Sequence, residues 1–146
     1  MKIQIGDKEG EAASYGNLGT VFQSLGEYDK AKDYLEKALA IGLQIGDKKG
    51  EAADYGNLGT VFLSLGEYDK AKEHIEKALA IRLQIGDKKG VAADYGNFGT
   101  VFRSVGEYDK AKKYLEKALT MTIQIGNKEG EAASYGNLGT VFKSLG

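Results

Sequence analysis

Four asparagines, Asn17, Asn57, Asn97 and Asn137, recur at intervals of 40 residues, each within the words GNLGT or GNFGT. A carboxamide carries an acceptor oxygen and donor hydrogens, so one Asn can engage a peptide group at both its C=O and its N–H, whatever side chain that peptide bears. A row of such groups would hold an extended chain by its backbone. Close approach is favoured by Gly16, which precedes Asn17, and further polar groups follow at Thr20, Thr60 and Thr100. The plainer alternative is that each Asn bonds a neighbouring helix.

Selectivity requires positions that differ between copies. Gln23 becomes Leu63, Arg103 and Lys143, while Ser14 becomes Asp54, Asp94 and Ser134. Arg103 and Lys143 would make the later part of such a surface basic and suited to an acidic peptide. Asp54 and Asp94 belong to the same candidate contact set.

Nothing in the sequence assembles a reaction centre. His74 is the one histidine; it replaces the Tyr34 and Tyr114 of sister copies and has no nucleophile or second ligand beside it. Cysteine is absent, which removes thiolate metal sites, disulfides and thiol nucleophiles together. GNLG has a GxxG look but falls within a helical pattern lacking basic neighbours, so it is no phosphate cradle. We therefore expect no catalytic residue, no cofactor and no metal. The formal charge of −1 supplies no basic field for nucleic acid. No apolar run reaches the roughly 18 residues of a membrane span, and no secretory h-region opens the chain, so the expected setting is cytoplasmic.

The elements that position the asparagines follow from the period. Residues 6–45 and 46–85 differ at 7 positions, and 86–125 differs from 46–85 at 11, which fixes the unit as a 40-residue repeat. Residues 126–146 restart the unit and stop halfway, and residues 1–5 match the end of one. The expected organisation is one repeat domain, 1–146. Within each unit, Tyr15, Leu18, Phe22 and Leu25 share a helical face, and Tyr28, Ala31, Leu35, Ala38, Leu39 and Ile45 share another. Asp7, Asp47, Asp87 and Asn127 are candidate N-caps, and Gly26 with its copies supplies the stops. The two helices, A and B, form an antiparallel hairpin whose apolar faces need the next hairpin for cover. Gly19, inside helix A, is expected to let that helix approach helix B. On helix A, the stripe Ala13, Gly16, Asn17, Thr20, Gln23 and Ser24 remains for a ligand. Asp33 and Lys37 are placed to pair on the surface of helix B.

The order Tyr15, Leu18, Gly19, Phe22, then Gly26, Tyr28, Ala31, and finally Ala38 and Leu39, resembles the tetratricopeptide repeat. The longer unit with NLG in helix A is similar to the repeats of Leu-Gly-Asn-rich G-protein-signalling modulators and, more loosely, of kinesin light chains. The resemblance implies an all-α, right-handed α-solenoid whose A helices line a concave groove that holds an extended or helical peptide. It also supports the ligand-binding role of the four asparagines. The implied function is a protein-protein interaction scaffold with a protein or peptide partner.

A second reading concerns the ends. The last helix has no helix B after it, so Leu138, Val141, Phe142 and Leu145 are expected to lack cover, as are Ile3 and Ile5 at the start. These residues would drive a closed dimer or head-to-tail stacking. The near-identity of the copies also fits an engineered or excised array without a native ligand.

Overall fold

The sequence pattern resolves into seven α-helices in the computed structural model, which describes residues 5–145, with side chains described from Asp7 onward. They are α1 (Ile5–Ser24), α2 (Tyr28–Ile45), α3 (Lys48–Ser64), α4 (Tyr68–Ile85), α5 (Lys88–Ser104), α6 (Tyr108–Gln124) and α7 (Lys128–Leu145). Among the described residues there is no strand. The odd-numbered helices are the A helices and the even-numbered ones the B helices. The helices divide into two compact units, the first ending at Ile81 and the second beginning at Arg82. In the first unit α2 packs on both α1 and α3; in the second α6 packs on both α5 and α7.

Helix ends follow the capping chemistry. Asp47 Oδ1 accepts from the Gly50 N–H at 3.1 Å, Asp87 Oδ1 from Gly90 at 3.0 Å, and Asn127 Oδ1 from Gly130 at 3.1 Å. Asp7 does not cap. Helix α1 already starts at Ile5 and runs through Gly6, so Asp7 sits in its first turn. At the helix exits Gly26, with φ of 77°, occupies the left-handed region that L side chains resist. There the Gly26 N–H bonds Gln23 O and the Glu27 N–H bonds Phe22 O, the paired closure that satisfies carbonyls at a helix end.

Each hairpin closes on a glycine. A Cβ placed on Gly19 would lie 2.7 Å from Leu35 Cγ, and one on Gly59 would lie 2.6 Å from Ile75 Cγ1. Close approach of helix A to helix B thus offsets the roughly 1 kcal/mol that glycine costs within a helix. Around this contact the aromatic residues cluster: Phe22 stacks on Tyr34 at 5.4 Å, and Phe62 meets His74 at 4.9 Å. Lys37, expected beside Asp33, places its ammonium over the rings of Tyr15 and Tyr34.

Helix A is buried on two sides rather than one. In α3 the stripe Glu51, Asp54, Leu58 and Val61 is buried, and so are Gly59 and Phe62 on the side of the hairpin partner. Val61, Val101 and Val141 are fully enclosed, although the expected core face left valine out. Leu25 was expected inside and is 65% exposed, because it lies beyond the end of α1. Leu18 and Val21 are exposed, whereas their copies Leu58 and Val61 are completely buried, since α3 has α2 to pack against.

Candidate functional site

Within each unit the A helices present the asparagines along the stripe that the sequence pattern leaves uncommitted. Asn17 is exposed, and Asn57, Asn97 and Asn137 are half-buried. Among the described residues none of the four carboxamides makes an intramolecular hydrogen bond. Each therefore keeps its donors and acceptor for another molecule. Space is available beside them, because a Cβ added to Gly96 or Gly136 would meet nothing within 4 Å.

The threonines on this stripe serve their own helices first. Thr20 Oγ1 donates to Gly16 O at 3.0 Å, Thr60 Oγ1 to Asn57 O at 2.8 Å and Thr100 Oγ1 to Gly96 O at 3.2 Å. Their lone pairs remain. One of them is taken, because Gln23 Nε2 donates to Thr60 Oγ1 at 2.8 Å and thereby ties α1 to α3. Gln23 is thus an inter-helix strut. Among its copies, Arg103 is half-buried and Lys143 exposed.

In the second unit the stripe opens into a cavity of about 190 Å³ between α5, α6 and α7. Ala93, Gly96 and Asn137 line it, with Thr122, Gly130 and Ser134 deeper in.

Two residues of the expected contact set lie inside instead. Asp94 is 0% exposed and Asp54 9%, so neither side chain stands on an open wall. The reason is helical geometry: Asp54 falls three residues after Glu51 and four before Leu58, on the buried stripe. Burial and the neighbouring Asp47 push the Asp54 carboxyl up to about 7. Burial likewise raises Asp94, to about 6, against the lowering effect of Arg82 and with a further push from Asp87. Arg82 Nη1 donates to Asp94 Oδ1 at 2.6 Å, and Asp94 Oδ2 has no partner. Arg82 was missed in the sequence. Its signal was there, since it stands where the neighbouring copies have Gly42 and Thr122.

His74 behaves as a packing residue. Its Nδ1 lies 2.8 Å from Lys70 O, a carbonyl that accepts, and its ring touches Tyr55 and Phe62. Among the described residues no group of three His, Cys, Asp or Glu side chains could hold a metal ion. No described helix is long and apolar enough to cross a membrane.

The residues expected to drive self-association divide. Leu138 is 7% exposed and Val141 0%, because α6 covers them, so these two are corrected to core. Phe142 and Leu145 are exposed at 49% and 47%. Ile3 and the side chain of Ile5 lie outside the described residues.

No curated protein sequence matches the chain. Among solved structures, the chain is similar to BtubC (BKLC) from P. vanneervenii, at 25% identity and a TM-score of 0.82, over 92% of this chain and 56% of that one. The apo form of RapI is similar at 18% identity and a TM-score of 0.87, over 99% and 52% of the two chains. The chain thus spans about half the length of these two structures. The first tetratricopeptide domain of Spaghetti (RPAP3), bound to the HSP90 peptide SRMEEVD, is similar at 17% identity and a TM-score of 0.72, over 94% of both chains. The sequence model of the tetratricopeptide repeat matches residues 10–84, 51–124 and 90–146 in overlapping windows. Stacked helical hairpins with glycine-closed contacts, matched by that model along nearly the whole sequence, make this chain a member of the tetratricopeptide repeat family.

Proposed function

We propose that the chain is a protein-protein interaction scaffold that holds an extended or helical peptide along the A-helix stripe, with Asn17, Asn57, Asn97 and Asn137 engaging the peptide backbone. The observation that carries this reading is the set of four carboxamides without intramolecular partners, with open space beside Asn97 and Asn137 at Gly96 and Gly136. Carboxamides that solvent reaches and that form no bond within the protein remain available to the donors and acceptors of a peptide backbone. Thr20 and Thr100 keep acceptor capacity on the same stripe, and Arg103 and Lys143 add positive charge in the second unit. The peptide bound by the RPAP3 domain supports the class of ligand. In this reading residues 6–45, 46–85, 86–125 and 126–146 serve as repeats of one domain in a cytoplasmic setting.

The test is a peptide-library selection with the wild-type chain and the Asn57→Ala/Asn97→Ala variant side by side. The variant should lose captured peptides while keeping its helicity and melting temperature, since neither amide bonds within the protein. Equal capture by both proteins would overturn the reading.

A second reading is favoured by a separate observation. Leu18 and Val21 are 40% and 53% exposed while Leu58 and Val61 are enclosed, and Phe142 and Leu145 are exposed on α7. Burying two large apolar side chains is worth roughly 3–6 kcal/mol, so these faces would support association of copies. A mass by light scattering that stays monomeric up to millimolar concentration would remove this reading.

A further inference from the structure

The chain contains three junctions at which the end of a B helix meets the second turn of the next A helix. The second pairs Arg82 with Asp94; the equivalent positions are Gly42 and Asp54 in the first and Thr122 and Ser134, which line one cavity, in the third. In the second junction Arg82 lies along the capping loop. Its Nε is 3.9 Å from Asp87 Oδ2, its shaft crosses Gly90, and its Nη1 reaches Asp94. In the third junction Thr122, Ser134 and Asn127, which replaces the capping Asp, are all neutral, and they line the cavity of about 190 Å³ together with Lys89.

The first junction keeps the acids and lacks the base. Asp54 is more than nine-tenths buried and, among the described residues, makes no hydrogen bond or ion pair. Asp47 is close enough to raise its carboxyl further. Glu51 is also buried, and its own cation is Lys48, at 3.5 Å. Lys49 is exposed. Where Arg82 stands in the next junction there is Gly42, which carries no side chain; a Cβ there would find Glu51 Cγ at 3.6 Å and Asp47 O at 3.9 Å, ordinary contact distances. On the other side, the one atom within 4 Å of a Cβ added to Gly16 is Asp54 Oδ1, at 3.8 Å. Asp54 is therefore reached past Gly16, immediately beside Asn17.

A buried carboxylate without a partner is destabilising, and an arriving opposite charge removes that cost only if its geometry matches. The adjacent junction shows which geometry matches, since a planar guanidinium spans the capping Asp and the buried Asp there. We propose that Asp54, reached past Gly16 and with Asp47 nearby, takes the guanidinium of an arginine side chain carried by the peptide that lies along the A-helix stripe. This rests on the groove reading for the peptide, and it adds the residue that the peptide must supply. Asp54 accepts from the guanidinium, Asp47 adds negative charge nearby, and Gly16 provides the approach.

The experiment follows the Asp54 side-chain carbon by NMR while acetyl-Gly-Arg-Gly-amide is added to the whole chain at neutral pH. The same peptide with citrulline, a neutral isostere, and guanidinium chloride serve as comparisons. Two variants copy junctions that already fold in this protein: Gly42→Arg, after Arg82, and Asp54→Ser, after Ser134. The expected result is a saturable shift with the arginine peptide and none with citrulline, together with at least tenfold weaker binding of the arginine peptide by both variants, read for Asp54→Ser at the Gly16 and Gly42 amides. An equal response to citrulline, undiminished binding in Gly42→Arg, or no saturable shift in the wild type would overturn the proposal. A guanidinium chloride response equal to that of the peptide at the same concentration would also overturn it, by reducing the site to an ion site. Because the tripeptide is read at Asp54, its outcome is separate from that of the Asn57→Ala/Asn97→Ala selection.

Discussion

Replacing Asp54 by Asn should make the protein more stable at alkaline pH and leave it unchanged in acid. In the folded chain the carboxyl titrates at about 7, raised from 3.8 by burial and by Asp47. A folded-state value above the unfolded one means that the folded state holds the proton more tightly. Its contribution is full below the unfolded value and is lost as pH rises through the folded one. The window thus runs from about pH 4 to about pH 7. The difference between those two values, at 1.36 kcal/mol per pH unit, amounts to about 4 kcal/mol. Asparagine keeps the shape and carries no charge at any pH, so it escapes that loss. The assay is urea unfolding of wild type and Asp54→Asn at pH 3.5 and pH 8, followed by circular dichroism. Asp94 and all other titrating groups are common to both proteins and cancel in the comparison. The stability gap should widen toward the variant by up to about 4 kcal/mol between the two pH values. A gap that does not change with pH, or one that favours the wild type at pH 8, would refute the reasoning that Asp54 is buried without a counter-charge.

Two further substitutions test the packing. Gly59→Ala places a Cβ 2.6 Å from Ile75 Cγ1 and 3.4 Å from Ala71 O, and should lower stability in a thermal melt by about 1–3 kcal/mol. Gly139→Ala meets nothing within 4 Å and should raise stability by up to about 1 kcal/mol through helix propensity alone. Arg82→Ala strands the enclosed Asp94 and should cost about 3–5 kcal/mol at pH 8 by urea unfolding. Adding Asp94→Ser to it recreates the neutral pairing of Thr122 with Ser134 and should recover most of the loss.

The sequence by itself determined the repeat, the helices and their punctuation. These are local: a capping Asp47 needs only the Gly50 amide three residues on, and Gly46 needs only its own freedom at φ of 70°. The approach of the two helices at Gly19 was legible as well, because an interior glycine costs stability unless something close requires it. Which polar residues go inside was decided by the tertiary structure alone. One helix's periodicity names an apolar face, but an A helix here is sandwiched between two others, and its second buried stripe carries Glu51 and Asp54 beside Leu58 and Val61. Small and acidic residues read as a solvated face until a neighbour is laid across them. The separation of Asp94, paired with Arg82, from Asp54, whose repeat has Gly42 at the position of Arg82, depends on residues 12 apart that only helix packing brings together. The asparagines were visible from their spacing, and their freedom from internal bonds was settled by what packs around them, since a carboxamide bonds whatever donor or acceptor comes within reach.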